Sequence, residues 1–280
     1  MGVSAVSAKR PQRSTQSDFP VTQVQGKTVA MIRKLALLLA LIAPPAVAGP
    51  TPADVDFLSG WQNADGTRMA ALRIRLDPGW KTYWRAPGDA GIPPLFDFSG
   101  STNLGDVKVH WPAPEVFHSD GMRIVAYKRE VVLPLSLSPA DPGAPVDLDL
   151  RLEFGVCKDI CMPMQLEMTT RLEADGTRHP SIVAALLDQP AQGPGGLHCE
   201  IEPAEQGFRV ALTVPHAPAE SVIEAGEGML WVSEPSVKAA PEGMTATAQV
   251  MAQGAILDRS ALRLTVLPKT GGAVEYVGCD

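Results

Sequence analysis

The chain is predicted to be all-β, a sandwich followed by a second, smaller β domain, and three observations carry that expectation. Its 280 residues include 26 prolines and 25 glycines, which interrupt it too often for long helices. Between the interruptions lie short runs that alternate apolar with polar side chains, the period of a half-buried strand. A loop-forming stretch, Pro190-Ala191-Gln192-Gly193-Pro194-Gly195-Gly196, separates two groups of such runs.

Residues 1–30 are rich in Ser, Gln, Thr and Lys and lack apolar periodicity. Met31-Ile32-Arg33-Lys34, the apolar run 35–43 and Ala46-Val47-Ala48 then follow the basic, apolar, small order of a secretory signal. Met31 stands where such a signal starts, and cleavage is expected after Ala48, with export to the periplasm. The apolar run is well short of the roughly 20 residues that cross a bilayer. No later segment approaches that length, so no membrane span is expected after cleavage.

In the mature part, strands are expected at 69–76, which ends on the turn Asp77-Pro78-Gly79, and at 107–111, 131–137, 146–154 and 165–172. The strictest alternation is Val146-Asp147-Leu148-Asp149-Leu150-Arg151-Leu152-Glu153-Phe154, which presents one apolar face. Asp175-Gly176-Thr177 makes a turn, and Pro180 introduces a short helix at 181–187 that is read as part of a linker. Strand character resumes at 208–214 and 262–267. The expected division is a leader at 1–48, a first domain at 49–177, helix and linker at 178–196, and a second domain at 197–280. A net charge of -7 with no basic run argues against nucleic acid, and no phosphate loop or hydrolase triad stands out.

All four cysteines, Cys157, Cys161, Cys199 and Cys279, follow the signal, and an even count in an oxidising compartment points to disulfides. Three pairings are possible, and the domain division favours Cys157 with Cys161 and Cys199 with Cys279. The second bond would be a structural staple whose long loop stabilises by roughly 4 to 5 kcal/mol in a chain-entropy account. The first encloses only Lys158-Asp159-Ile160 and constrains the unfolded chain far less. It must also fold back, since four extended steps span about 13 to 14 Å and a disulfide needs Cα atoms within about 7 Å. A turn of this kind brings both sulfurs to an accessible tip, where one thiolate exchanges with an incoming disulfide and the other resolves the mixed intermediate. The spacing by itself leaves a structural clip and a redox pair both open. Lys158 favours a thiolate and Asp159 opposes it.

The segment Phe154-Gly155-Val156-Cys157-Lys158-Asp159-Ile160-Cys161-Met162-Pro163 resembles the cysteine hairpin of the N-terminal periplasmic domain of the DsbD thiol:disulfide interchange proteins and their ScsB relatives. Gly79-Trp80-Lys81-Thr82-Tyr83-Trp84-Arg85-Ala86-Pro87-Gly88-Asp89-Ala90-Gly91 and Trp111-Pro112-Ala113-Pro114-Glu115 resemble the ScsB-like branch in the same order. The resemblance covers about 55–172. It implies an immunoglobulin-like sandwich that takes electrons from a transmembrane thiol relay protein and passes them to a periplasmic thioredoxin-fold isomerase or reductase, with no cofactor. It also implies a cap loop over the cysteines, here Phe117-His118-Ser119-Asp120-Gly121-Met122, with Phe117 as the cover and Gly121 as a hinge. Tyr83, Trp84 and Tyr127 are placed as aromatic neighbours of the site, although aromatics also fill sandwich cores, and at least one of Trp80, Tyr83 and Trp84 is expected there. The cysteine gap is shorter than in the DsbD form, and membrane and thioredoxin-like modules are not recognised, so a stand-alone module is expected.

Two other readings compete. Cys157, Cys161, Met162 and Met164 are soft sulfur ligands suited to Cu(I), which fits a copper-tolerance role. Alternatively the cysteine pair only closes a hairpin in a structural interaction module. The five histidines, 110, 118, 179, 198 and 216, show no ligand spacing.

Overall fold

The structure, a computed structural model, describes residues 51–88, 91–119, 121–226, 230–252 and 256–280. The leader, the signal and the cleavage point expected after Ala48 lie outside the described residues. The first part of the fold runs β1 (Ala53–Gln62), β2 (Arg68–Leu76), β3 (Lys81–Gly88), β4 (Leu95–Asp97), β5 (Leu104–Val109), β6 (Glu115–Ser119), β7 (Met122–Lys128), β8 (Glu130–Pro139), β9 (Val146–Cys157) and β10 (Cys161–Leu172). These strands form two antiparallel sheets. Sheet one has the order β1-β2-β8-β5, and sheet two has the order β10-β9-β3-β7-β6 with β4 also on β9.

The two sheets pack face to face because each strand sends alternate side chains inward. Sheet one supplies Leu72 and Ile74 from β2 and Val131, Leu133, Leu135 and Leu137 from β8. Sheet two answers with Val146, Leu148, Leu150, Leu152, Phe154 and Val156 from β9, Val125 and Tyr127 from β7, and Trp84 from β3. The alternation read from 146–154 is therefore the inner face of β9. Sheet two has edges at β10 and β6, and β10 tolerates Pro163, which lacks an N–H, because it has a neighbour on one side only.

A short helix, α1 (Pro180–Leu187), follows, with Pro180 in its first turn and the His179 ring accepting a hydrogen bond from the Ser181 N–H. It is not a free linker. Ile182 and Ala185 are buried against Leu58, Met69, Ala71 and Val132 on the outer face of sheet one.

The second part comprises β11 (Ala191–Gln192), β12 (His198–Ala204), β13 (Gly207–Val214), β14 (Glu220–Ala225), β15 (Trp231–Val232), β16 (Ser236–Ala240), β17 (Gly243–Met251), β18 (Leu262–Leu267) and β19 (Val274–Val277). It is again two sheets, β11-β19-β18-β14 and β12-β13-β17-β15 with β16 on β17. Its core includes Val210, Leu212, Ala246, Val250, Leu262, Leu264 and Val266. β11 pairs in parallel with β19, so the Pro/Gly stretch expected to be linker already contributes to the second part's sheet. Cys199 and Cys279 are bonded, with Cα atoms 5.6 Å apart, and tie β12 to the C-terminal residues.

The two parts touch through β14. Ile223 enters the second core while its neighbour Val222 enters the first. Arg85 on β3 stacks 4.3 Å from the Trp84 ring and pairs with Glu224 at 2.8 Å and with Glu275.

If α1 is a packed element, Ile182→Ala lowers unfolding free energy by about 2–5 kcal/mol, whereas Leu187→Ala on its exposed end changes it by less than about 0.5 kcal/mol. Urea denaturation measures both. Equal, near-zero effects would mean that the helix is dispensable.

Candidate functional site

The β9–β10 ladder continues without a register shift from Val146 opposite Leu172 to Cys157 opposite Cys161. The cysteines are therefore the last rung of a hairpin, closed by Lys158-Asp159-Ile160. They are bonded, with Cα atoms 4.1 Å apart, and the Lys158 N–H donates to the Ile160 carbonyl at 3.2 Å. Cys157 is 7 % exposed and Cys161 is exposed. Ile160, at the tip, is 66 % exposed.

Period two decides which residues share the cysteine face. Cys157 lies one residue past Val156, so it points away from the core, onto the outer face of sheet two. There it joins a small apolar cluster with Tyr83, Ile124 and Ala126, against which Phe117 and Ile92 pack. The Tyr83 hydroxyl lies 2.9 Å from Cys161 Sγ, and because a disulfide sulfur has no proton, the hydroxyl donates. Burial pushes the Tyr83 phenol above its ordinary value, so it remains a donor throughout the neutral range.

Two glycines make room for Tyr83. A Cβ on Gly155 would stand 2.7 Å from the Tyr83 ring and 2.7 Å from Ile92, and one on Gly91 would stand 2.8 Å from the same ring. This crowding sits where β9 changes neighbours. β3 pairs with it at Lys81 and Thr82, and β4 pairs with it at Glu153, Leu152 and Arg151. Thr82 Oγ1 closes the gap by donating to the Gly155 carbonyl at 2.9 Å.

Phe117 belongs to strand β6 rather than to a loop. β6 and β7 form a hairpin in which Phe117 faces Ile124 and Ser119 faces Met122. Gly121 takes a positive φ of 77°, which suits glycine, and an added Cβ there would meet nothing within 4 Å. Asp120, expected in the cap, lies outside the described residues. His118 points away from Phe117 and stands 3.5 Å from Glu234 of the second part. Lys81 Nζ lies 5.1 Å and Lys128 Nζ 5.8 Å from the Phe117 ring centroid, so two cations flank that ring.

Trp84 and Tyr127, expected beside the site, are instead in the core. Trp84 follows Tyr83 directly and so faces inward, fully buried. Tyr127 also faces inward, and its hydroxyl donates to the Pro112 carbonyl at 2.8 Å. The four-sulfur set is divided in the same way. Met162 and Met164 pack against the core from the inner face of β10, while Cys161 and Pro163 alternate with them on the exposed face. Residues not singled out from the sequence are Lys81, Lys128, Gly155, Ile92, Ile124 and Ala126. Lys81 stands two residues before Tyr83 and Gly155 two before Cys157, so period two was the available signal for those two.

Residues 52–173 match the family model for the N-terminal part of the thiol:disulfide interchange protein DsbD. No curated protein is significantly similar to the chain in sequence. Among solved structures, the crystal structure of the N-terminal periplasmic domain of ScsB from Proteus mirabilis superposes with a TM-score of 0.61 at 21% identity. That match covers 85% of this chain and 97% of the other, well beyond the segment matched by the family model. Residues 52–173 are thus similar to the N-terminal domain of the DsbD thiol:disulfide interchange proteins, and the two β parts together have the fold of an ScsB N-terminal periplasmic domain.

Proposed function

We propose that the protein is an exported, periplasmic thiol:disulfide interchange module that works through Cys157 and Cys161. It passes reducing equivalents between a transmembrane thiol relay and a thioredoxin-fold isomerase or reductase. The observation that carries this reading is the asymmetry of the pair: an exposed Cys161 bonded to a nearly buried Cys157 in a hairpin that the β9–β10 ladder already holds. A bond across such a rung adds little restraint to the chain, whereas its sulfur at the tip is open to attack.

In the reductive direction a partner thiolate attacks Cys161 Sγ, the Cys157–Cys161 bond breaks, and Cys157 leaves as a thiolate. The partner's second thiolate then attacks the mixed disulfide and releases Cys161. The partner ends as a disulfide and this protein as a dithiol, with two electrons transferred and two protons taken from water. Attack of Cys161 on a client disulfide runs the same steps backward. Tyr83 polarises Cys161 Sγ in the disulfide and is placed to donate to the Cys161 thiolate once it forms. Phe117, on a hairpin edge, keeps water and small oxidants from Cys157 until a partner moves it.

The alternating faces of β10 do not favour the Cu(I) reading, since they set Met162 and Met164 apart from the cysteines. Trapping tests the exchange reading. Cys157→Ser leaves the exposed Cys161 thiol and is expected to accumulate a mixed disulfide with a thioredoxin-fold protein activated by a thionitrobenzoate adduct. Cys161→Ser leaves a buried thiol and is expected to react at least about tenfold more slowly. Equal rates for the two variants would contradict the assignment of Cys161 as the attacked sulfur.

Tyr83→Phe is expected to slow exchange about tenfold, the scale of one hydrogen bond to a charged group. Because the phenol is held above its ordinary value of 10.0, it is protonated in both regimes of thiol titration. The ratio of wild-type to variant rates therefore stays flat from about pH 6 to about pH 9 and falls only at higher pH, as the donor is lost. A ratio that changes across the neutral range would contradict the donor role.

A further inference from the structure

The sheet register aligns more than the cysteines. Cys161 is opposite Cys157 on β9, Cys157 is opposite Lys81 on β3, and Lys81 is opposite Lys128 on β7. These four residues form one row across the outer face of sheet two, because directly opposed residues share a face. Lys158 adds a third cation at the hairpin tip. Its aliphatic chain lies across the β2–β3 turn, where Gly79 has a positive φ of 88° and an added Cβ would be 3.0 Å from Lys158 Cε.

Three of the six lysines from residue 51 onward thus surround one disulfide, in a chain whose net charge is -7. Among the described residues, Lys128 pairs with Glu115 at 2.5 Å, while Lys81 and Lys158 have no carboxylate within ion-pair distance. Asp159 is the acidic residue at the tip. Cations left unpaired in an acidic protein, grouped around a reactive bond beside the exposed Ile160, point to a complementary anionic surface.

We propose that this face docks a redox protein whose reactive cysteine is bordered by carboxylates, with Lys81, Lys128 and Lys158 reading the charge and Ile160 supplying the apolar contact. The proposal rests on the exchange reading above and names the chemistry of the partner. Lys81 and Lys128 also flank the Phe117 ring. Carboxylates of an arriving partner compete with that ring for both ammonium groups, so docking loosens the cover over Cys157.

Two synthetic cysteine peptides serve as probes, one with its cysteine flanked by aspartates and one with it flanked by lysines. Each reduces the purified, oxidised protein: one peptide thiolate opens the Cys157–Cys161 bond, and a second releases the peptide disulfide and the protein dithiol. For Lys81→Gln/Lys128→Gln/Lys158→Gln, the aspartate peptide is expected to react about tenfold more slowly and the lysine peptide no more slowly than with wild type. Added salt of about 0.5 M is expected to bring the wild-type rate with the aspartate peptide close to that of the variant. Lys108→Gln/Lys238→Gln/Lys269→Gln changes net charge equally and is expected to leave both rates unchanged. The single Lys158→Gln, on an exposed loop, is expected to give a smaller loss in the same direction.

Equal slowing of both peptides would assign the lysines to thiolate stabilisation and overturn the proposal. So would an equal loss in the control variant, or brisk exchange without charge preference. Failure of wild type to react with either peptide would overturn the exchange reading itself, and this one with it.

Discussion

Twelve successive Cα pairs lock β9 to β10, and the site depends on that register. Six side chains of β9 fill the inner face of sheet two, so a slip of one residue would send them outward and is opposed by the whole core. The same constraint fixes the outer face. With Val156 committed to the core, Cys157 must point outward, and its partner across the ladder must be Cys161. The burial that stabilises the sandwich is therefore what aims the sulfurs, and the three-residue loop at the tip has only to close.

The rest of the site follows from β3 and β7, which extend the same row. β3 contributes Lys81 and Tyr83 outward and Trp84 inward, then departs from β9 beyond Thr82, so that Gly155 lies under the Tyr83 ring and Ile92. β7 carries Ile124, Ala126 and Lys128 on that face and pairs with β6, which holds Phe117. The second part supports this hairpin from its far side. The buried Arg123 of β7 donates to the Ser221 carbonyl at 2.6 Å and lies 3.7 Å from Glu234, which also faces His118. The β6–β7 hairpin and the second β part are thus joined by polar contacts.

Much of the architecture was readable in the sequence because it rests on local patterns. The alternation of 146–154 gave β9, the runs at 69–76 and 131–137 gave β2 and β8, and the cysteine arithmetic gave both bonds. What was not readable depends on contacts between distant segments. The resemblance implies Trp84 at the site together with Tyr83, but adjacent residues in a strand take opposite faces. Tyr127 was separated from the site by the same parity. The helix expected at 181–187 reads as part of a linker in sequence because its burial comes from Leu58, Met69, Ala71 and Val132, which lie far away in the chain. The lysine row needs the registers of β9, β3 and β7 together, and no single segment contains it. β11 and β15 are too short to carry any periodicity.

The central claim is that Cys157–Cys161 exchanges electrons while Cys199–Cys279 holds structure. The most direct measurement equilibrates the protein in glutathione buffers and follows each bond separately by alkylation and proteolytic mapping. The account predicts that Cys157–Cys161 equilibrates reversibly with a potential between about -180 and about -300 mV, while Cys199–Cys279 stays oxidised. A Cys157–Cys161 bond that resists exchange, with a potential below about -300 mV, would contradict it and leave the pair a structural clip.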